Sequence, residues 1–226
     1  MPEKLIDIVR REGVDHLKAY FAPGAYTGQW FEAFAGGGDR AEVRDRITVE
    51  DLYAVEALNV QVPFAVGKEL IDGQLGSDIG AHLREIPIDA ELGVRGGEEL
   101  VADGGHADRA WRLLNNRNEK TGIGWVIAGK LLARKRPKLI PVYDSIVSCQ
   151  FGAPKNVWMK LHHQLAQNDG SLRAALATAR AAVGLDHEVS VLRSLDVVLW
   201  RRHVAEHWRA KPMSCPQRGS VALELA

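Results

Sequence analysis

The chain has 226 residues, and its 29 basic and 29 acidic side chains give a formal net charge of zero. That length suits one large domain or two interleaved lobes with a real core, and the 46% hydrophobic content is that of a globular protein. Neutrality excludes a global basic field for polyanions, and two cysteines, Cys149 and Cys215, exclude a disulfide framework or an iron–sulfur cluster.

In chain order, "PEKLIDIVRREGVDHLKAYF" places Leu5, Ile8 and Val9 on one face and predicts a first helix. The start is charged and amphipathic, unlike a signal peptide, and no run reaches the length of a membrane span. The expectation is a soluble cytoplasmic monomer with no membrane partner. "APGAYTGQWFEAFAGGGDR" is rich in glycine and aromatics, with a short helix expected over Trp30–Phe34. "TVEDLYAVEALNV" carries Thr48 as N-cap and Asp51 three residues later, ahead of an apolar face. "PFAVGKELIDGQL" reads as a helix, and "GSDIGAHLREIP" as a turn with a short one. "HADRAWRLLNNRN" is a clear helix. Further helices follow in "SIVSCQFG", "NVWMKLHHQLAQND", "SLRAALATARAAVG" and "VSVLRSLDVVLWRRHVAEHWRA". The only strand candidate is "KLIPVY", and residues 211–226 read as a loosely ordered tail. The fold expected is all-α, with eight to eleven helices.

The stretch "TGIGWVIAGKLLARKRPKLIPVYDSIV" carries most of the functional signal. Gly122 and Gly124 flank Ile123 and permit positive φ or close backbone approach. A helix beginning near Trp125 would turn its first amides outward, where they suit a phosphate oxygen. Lys130, Arg134, Lys135, Arg136 and Lys138 then form a local basic patch that suits a phosphodiester backbone. The plainer alternatives are a tight turn and a solvated helix end. Asp144 precedes an apolar helix and reads as its N-cap. A carboxylate held there by amides stays ionised, and it can stabilise an oxocarbenium ion or orient water against it.

Gly122-Ile123-Gly124, Ala128 and Pro141-Val142-Tyr143-Asp144 resemble the helix-hairpin-helix motif and catalytic aspartate of the base-excision DNA glycosylase superfamily (HhH-GPD), which includes endonuclease III. Gly124 and Asp144 stand twenty positions apart, as in that branch, and the match covers roughly 30 of the 226 residues. The block "GKLLARKRP" is also similar to an uncharacterised actinobacterial family, which supplies no function.

The resemblance implies two helical lobes flanking a cleft. The terminal helices would form one lobe, and residues 48–147 with the hairpin the other, within a single unit spanning 1–226. It implies DNA as partner, Asp144 as the catalytic residue, and the hairpin (Gly122, Ile123, Gly124) as a phosphate grip that also suits a monovalent cation. Val126 occupies the place of the Schiff-base lysine in bifunctional members, and valine forms no imine. The activity implied is therefore monofunctional removal of a damaged or modified base, with repair and phage defence both open as its setting. Lys130 lies one turn further on, and a phosphate contact is expected of it. Tyr143 beside the aspartate departs from the family pattern. The alternative is a non-catalytic helix-hairpin-helix module that only binds DNA.

A flipped base needs aromatic faces and polar edges, and Tyr26, Gln29, Trp30 and Tyr143 are the candidates, with plain core packing as the alternative. His203 and His207 stand at i and i+4, a spacing that can hold zinc. No third ligand is close in sequence, so a solvated helix face is expected, and neither a metal nor a cofactor.

Overall fold

The computed structural model describes residues 3–115, 123–185, 189–210 and 215–223. Among these residues the chain forms ten α-helices, three short 3-10 turns and no strand, with one isolated parallel bridge between Glu3 and Val221. None of the described helices is long and apolar enough to cross a membrane. The chain divides into two compact units, one of Met1–Tyr26, Leu92–Val94 and Val142–Ala226, the other of Thr27–Glu91 and Arg95–Pro141.

The first unit contains α1 (Leu5–Tyr20), α8 (Ser145–Gln150), α9 (Val157–Ala181) and α10 (Val191–Arg209). Leu5, Ile8, Val9 and Leu17 of α1 are buried against α9 and α10. Gly13 faces α9 there, and a Cβ on it would be in van der Waals contact with Ala179 at 3.4 Å. Residues 192–199 of α10 are buried without a break, so this half of the helix is enclosed on all sides rather than amphipathic. Its two interior charges, Arg193 and Asp196, pair with each other one turn apart. Helix α9 leaves helical geometry at Gln167–Gly170, so "VWMKLHHQLA" and "SLRAALATARA" lie on either side of a break. Gly93 has φ +83°, and a Cβ on it would come within 2.4 Å of Leu165. Its amide donates to Nδ1 of buried His162 at 3.1 Å.

The expectation of a loose C-terminal tail needs correction for residues 215–223. The amides of Gly219 and Val221 donate to the carbonyls of Cys149 and Gln150, and those of Glu3 and Ala222 to Ser220 and Glu3.

The second unit contains α2 (Val49–Ala54), α3 (Phe64–Asp72), α4 (Gln74–Arg84), α5 (Gly97–Val101), α6 (His106–Leu114) and α7 (Trp125–Lys135). Helix α2 starts at a complete capping box: Asp51 N–H donates to Thr48 Oγ1, and Thr48 N–H donates to Asp51 Oδ2 at 2.9 Å. Gly73 separates α3 from α4. The aromatic loop forms 3-10 turns at Thr27–Trp30 and Phe34–Gly36 in place of the short helix expected over Trp30–Phe34. "KLIPVY" is not a strand. Pro137 and Pro141 lack amide donors, and no partner strand exists among the described residues to pair with it.

Helices α4 and α6 meet through His82 and His106, whose Nδ1 atoms are 3.2 Å apart. Burial, then His106 and Arg109, hold the His82 imidazolium below the ordinary value of 6.5, while Asp78 acts in the opposite direction. The unfolded chain therefore takes up this proton first on acidification. The contribution is complete above pH 6.5 and is lost as the pH falls through the lowered folded value. Melts between about pH 7.5 and pH 5 should show a loss below about 1 kcal/mol from this contact, since the ring is partly solvated. His82→Gln should flatten that part of the profile, and an unchanged profile would place the acid sensitivity elsewhere.

Candidate nucleic-acid interface and active site

Helix α7 shapes the second unit. Its N-cap is Gly124, which has φ −73° and ψ 159°, an extended conformation open to any residue. Gly124 therefore does not use the positive φ that the motif suggested. Gly122 lies outside the described residues. Ile123 is buried, and its amide donates to the Leu114 carbonyl at 2.9 Å, tying the end of α6 to the start of α7. The N-cap residue, Gly124, has no side chain to accept from the first-turn amides of α7, which have no intrahelical acceptor. Val126 is half-buried on that turn.

The basic patch is not on the surface. Lys130, Arg134, Lys135 and Arg136 are all buried, with Lys135 at 0% exposure. Lys130 Nζ donates to the Leu58 carbonyl at 2.9 Å. Arg134 donates to the carbonyls of Phe31 (2.6 Å), Glu32 and Phe34. Lys135 donates to the carbonyls of Gly38 at 3.0 Å and Val43 at 3.1 Å and pairs with buried Asp51. Arg136 reaches the carbonyls of Ile86 (2.9 Å), Arg44 (2.7 Å) and Leu83, and Asp45 Oδ1 at 2.7 Å.

These four side chains cannot hold DNA phosphate where they stand. The reason is that a loop of glycines and 3-10 turns leaves many carbonyls unpaired, and guanidinium and ammonium groups can donate to several at once. Gly38 is part of this frame, since a Cβ there would fall 2.6 Å from the Arg134 carbonyl oxygen. Burial pulls the Lys135 ammonium pKa down, and Asp51 opposes that shift. Of the five cations in the stretch, Lys138 is exposed.

Asp144 is the N-cap of α8 and belongs to the first unit. Its Oδ1 accepts from the amides of Ile146 at 2.9 Å and Val147 at 3.1 Å, and Oδ2 takes part in neither bond. The group is half-buried.

Two phenols feel its charge. Tyr143, half-buried, stacks on Phe151 with ring centres 6.3 Å apart. Burial raises its pKa, a Ser148 hydrogen bond lowers it, and Asp144 raises it further. Tyr20 was not singled out in the sequence. Burial raises its pKa first, Arg193 lowers it, and Asp196 and Asp144 add to the rise. Arg193 donates to the Tyr20 hydroxyl at 2.6 Å. Nothing in "LKAYFAP" marks this tyrosine except its place at the end of α1.

The four base-pocket candidates are divided between the units, with Tyr143 and Tyr26 in the first and Gln29 and Trp30 in the second. Tyr26 is in the first unit, stacked on Tyr20 at 4.8 Å and edge-on to Trp200 at 5.5 Å, with its hydroxyl accepting from Arg201 at 2.5 Å. Gln29 and Trp30 are in the second unit on the Thr27–Trp30 turn, Gln29 half-buried and Trp30 61% exposed. A cavity of about 520 Å³ in the second unit, lined by Arg40, Arg46, Arg84, Asp45 and Glu50 among others, contains none of the candidate catalytic, phosphate-gripping or base-pocket residues.

His203 and His207 are not on a solvated face: His203 is 0% and His207 8% exposed. Cys149 of α8 and Cys215 of the C-terminal segment come to meet them.

The described residues thus define an all-helical protein with a capped, partly solvated carboxylate in one unit and a frame of buried cations in the other. The chain belongs to DUF6308, a family of unknown function, whose model matches residues 13–203. No curated protein and no solved structure matches it.

Proposed function

We propose that the protein is a monofunctional DNA glycosylase of helix-hairpin-helix type. It hydrolyses the N-glycosidic bond of a damaged or modified base turned out of the duplex. The observation that carries this reading is the state of Asp144. Two amides hold one carboxylate oxygen and leave the other outside those bonds, and after burial, the larger cause, the charge raises the pKa of the Tyr20 and Tyr143 phenols. An anion fixed in this way is suited to face an oxocarbenium ion as the bond to the base breaks, and to direct water at the anomeric carbon. The linkage of Leu114 to Ile123 and the glycine N-cap of α7 support a phosphate grip by backbone amides. Valine at 126 supports hydrolysis without an imine, and Lys130 is engaged inside the fold.

The burial of Lys130, Arg134, Lys135 and Arg136 favours this reading over a DNA clamp. A sequence-independent clamp draws its affinity from many phosphate contacts, whereas an enzyme needs only brief occupancy. The logarithm of the DNA association constant should therefore fall with log salt at a slope of about −1 to −2, for one or two contacts. Lys138→Ala should make the slope shallower by about one. A slope steeper than about −5 would favour the clamp.

The experiment is incubation with DNA carrying mixed modified bases, including phage DNA with hypermodified cytosines, followed by counting abasic sites. Sites formed by the wild type but not by Asp144→Asn, without nicking before alkali, are expected. Tight binding with no abasic sites on any of these DNAs would contradict the proposal.

A further inference from the structure

We propose that Cys149, His203, His207 and Cys215 form a structural zinc site that fastens the C-terminal segment to α8 and α10. The ligand atoms of all four lie within 4.8 Å of one another, and all four residues are buried. Cys215 Sγ and His203 Nε2 are 3.3 Å apart. Ligands at Zn–S and Zn–N bond lengths on a tetrahedron sit about 3.3–3.8 Å from each other, so one edge is already near its bonded length and the others need to shorten by at most about 1–1.5 Å.

The donor set points to the metal. Two thiolates with two imidazoles in tetrahedral array suit zinc, while magnesium and calcium require oxygen ligands. Four protein ligands leave no open position, which makes the site structural rather than catalytic. The surroundings point the same way. Among the described residues the buried Nδ1 atoms of His203 and His207 have no hydrogen-bond partner, and Nε2 of His203 faces the Cys215 thiol, itself one of the four ligands. An ordinary core would not place two such rings, 5.2 Å apart, against two thiols.

The three pieces joined are far apart in sequence. His203 and His207 share a face of α10, Cys149 is in the last turn of α8, and Cys215 leads the segment that returns to Cys149, Gln150 and Glu3. Asp144 caps the opposite end of α8, about 8 Å away along the axis. Zinc would hold the helix that presents this carboxylate. The inference does not depend on the proposed activity.

The test uses the full chain purified under reducing conditions. Metal content should be about one zinc per chain. Cobalt chloride added after chelation should give the intense visible absorption of a tetrahedral site, with a thiolate-to-cobalt charge-transfer band. His207→Ala should lose that spectrum or shift it to a weaker three-ligand form, and Cys215→Ser should weaken the charge-transfer band. Chelation should lower the melting temperature of the wild type. Because the wild type alone can give the cobalt result, a variant that fails to fold leaves the test intact. Substoichiometric zinc with only octahedral cobalt absorption would overturn the proposal. So would an intact mass short by two hydrogens, which would mean a Cys149–Cys215 disulfide.

Discussion

Asp51→Ala should destabilise the protein by about 3–5 kcal/mol, the loss expected when one partner of a buried ion pair is removed. Asp51 is 1% exposed, pairs with Lys135 and lies 3.4 Å from Arg134 Nε. Truncation strands two cations in an interior whose dielectric cannot screen them. It also breaks the capping box of α2, because Thr48 N–H loses its acceptor. Domains are stable by only about 5–15 kcal/mol, so this loss takes a third or more of the stability of a typical one. Adding Lys135→Met should recover part of the loss, since the stranded charge goes with it. Lys138→Ala, on the exposed cation of the same stretch, should stay within about 0.5 kcal/mol of wild type. Denaturant titration of the three variants checks this. An Asp51→Ala protein as stable as Lys138→Ala would mean that the α7 cations are not held as described.

Asp144→Asn should reduce base excision by about 10²–10³-fold while leaving stability within about 0.5 kcal/mol. Asparagine is as good an N-cap as aspartate, so the bonds to Ile146 and Val147 survive and only the charge is lost. Asp144→Ala should lose the same activity and also about 1 kcal/mol of stability, because the cap itself is gone. The pair of variants separates electrostatics from helix capping. An asparagine variant with full activity would leave Asp144 a cap and nothing more.

Local chemistry was legible in the sequence; long-range partnership was not. Thr48 with Asp51, and Asp144 ahead of an apolar run, announce helix starts because a cap bonds amides two or three residues away. Leu5, Ile8 and Val9 show their burial through helical spacing. The α7 cations look like a surface patch because their acceptors are carbonyls far back in the chain: Phe31 for Arg134, Gly38 for Lys135, Ile86 for Arg136. A backbone carbonyl leaves no mark in the residue type, so charge alone suggested solvent. His203 and His207 were set aside for want of a third ligand nearby, and the fold supplies Cys149 from another helix. Glycine misled once: Gly124 is extended and needs no special backbone, whereas Gly38, unremarked within a run of three, is the one pressed against Arg134.

The most direct test of the central claim is chromatographic detection of free base released by the full-length wild-type protein from double-stranded DNA carrying modified bases, with the strand followed in parallel before alkali. The account predicts a released base, an intact strand and matching abasic sites, all lost in Asp144→Asn. A strand cut without free base, or no release from any modified DNA that the protein binds, would contradict it.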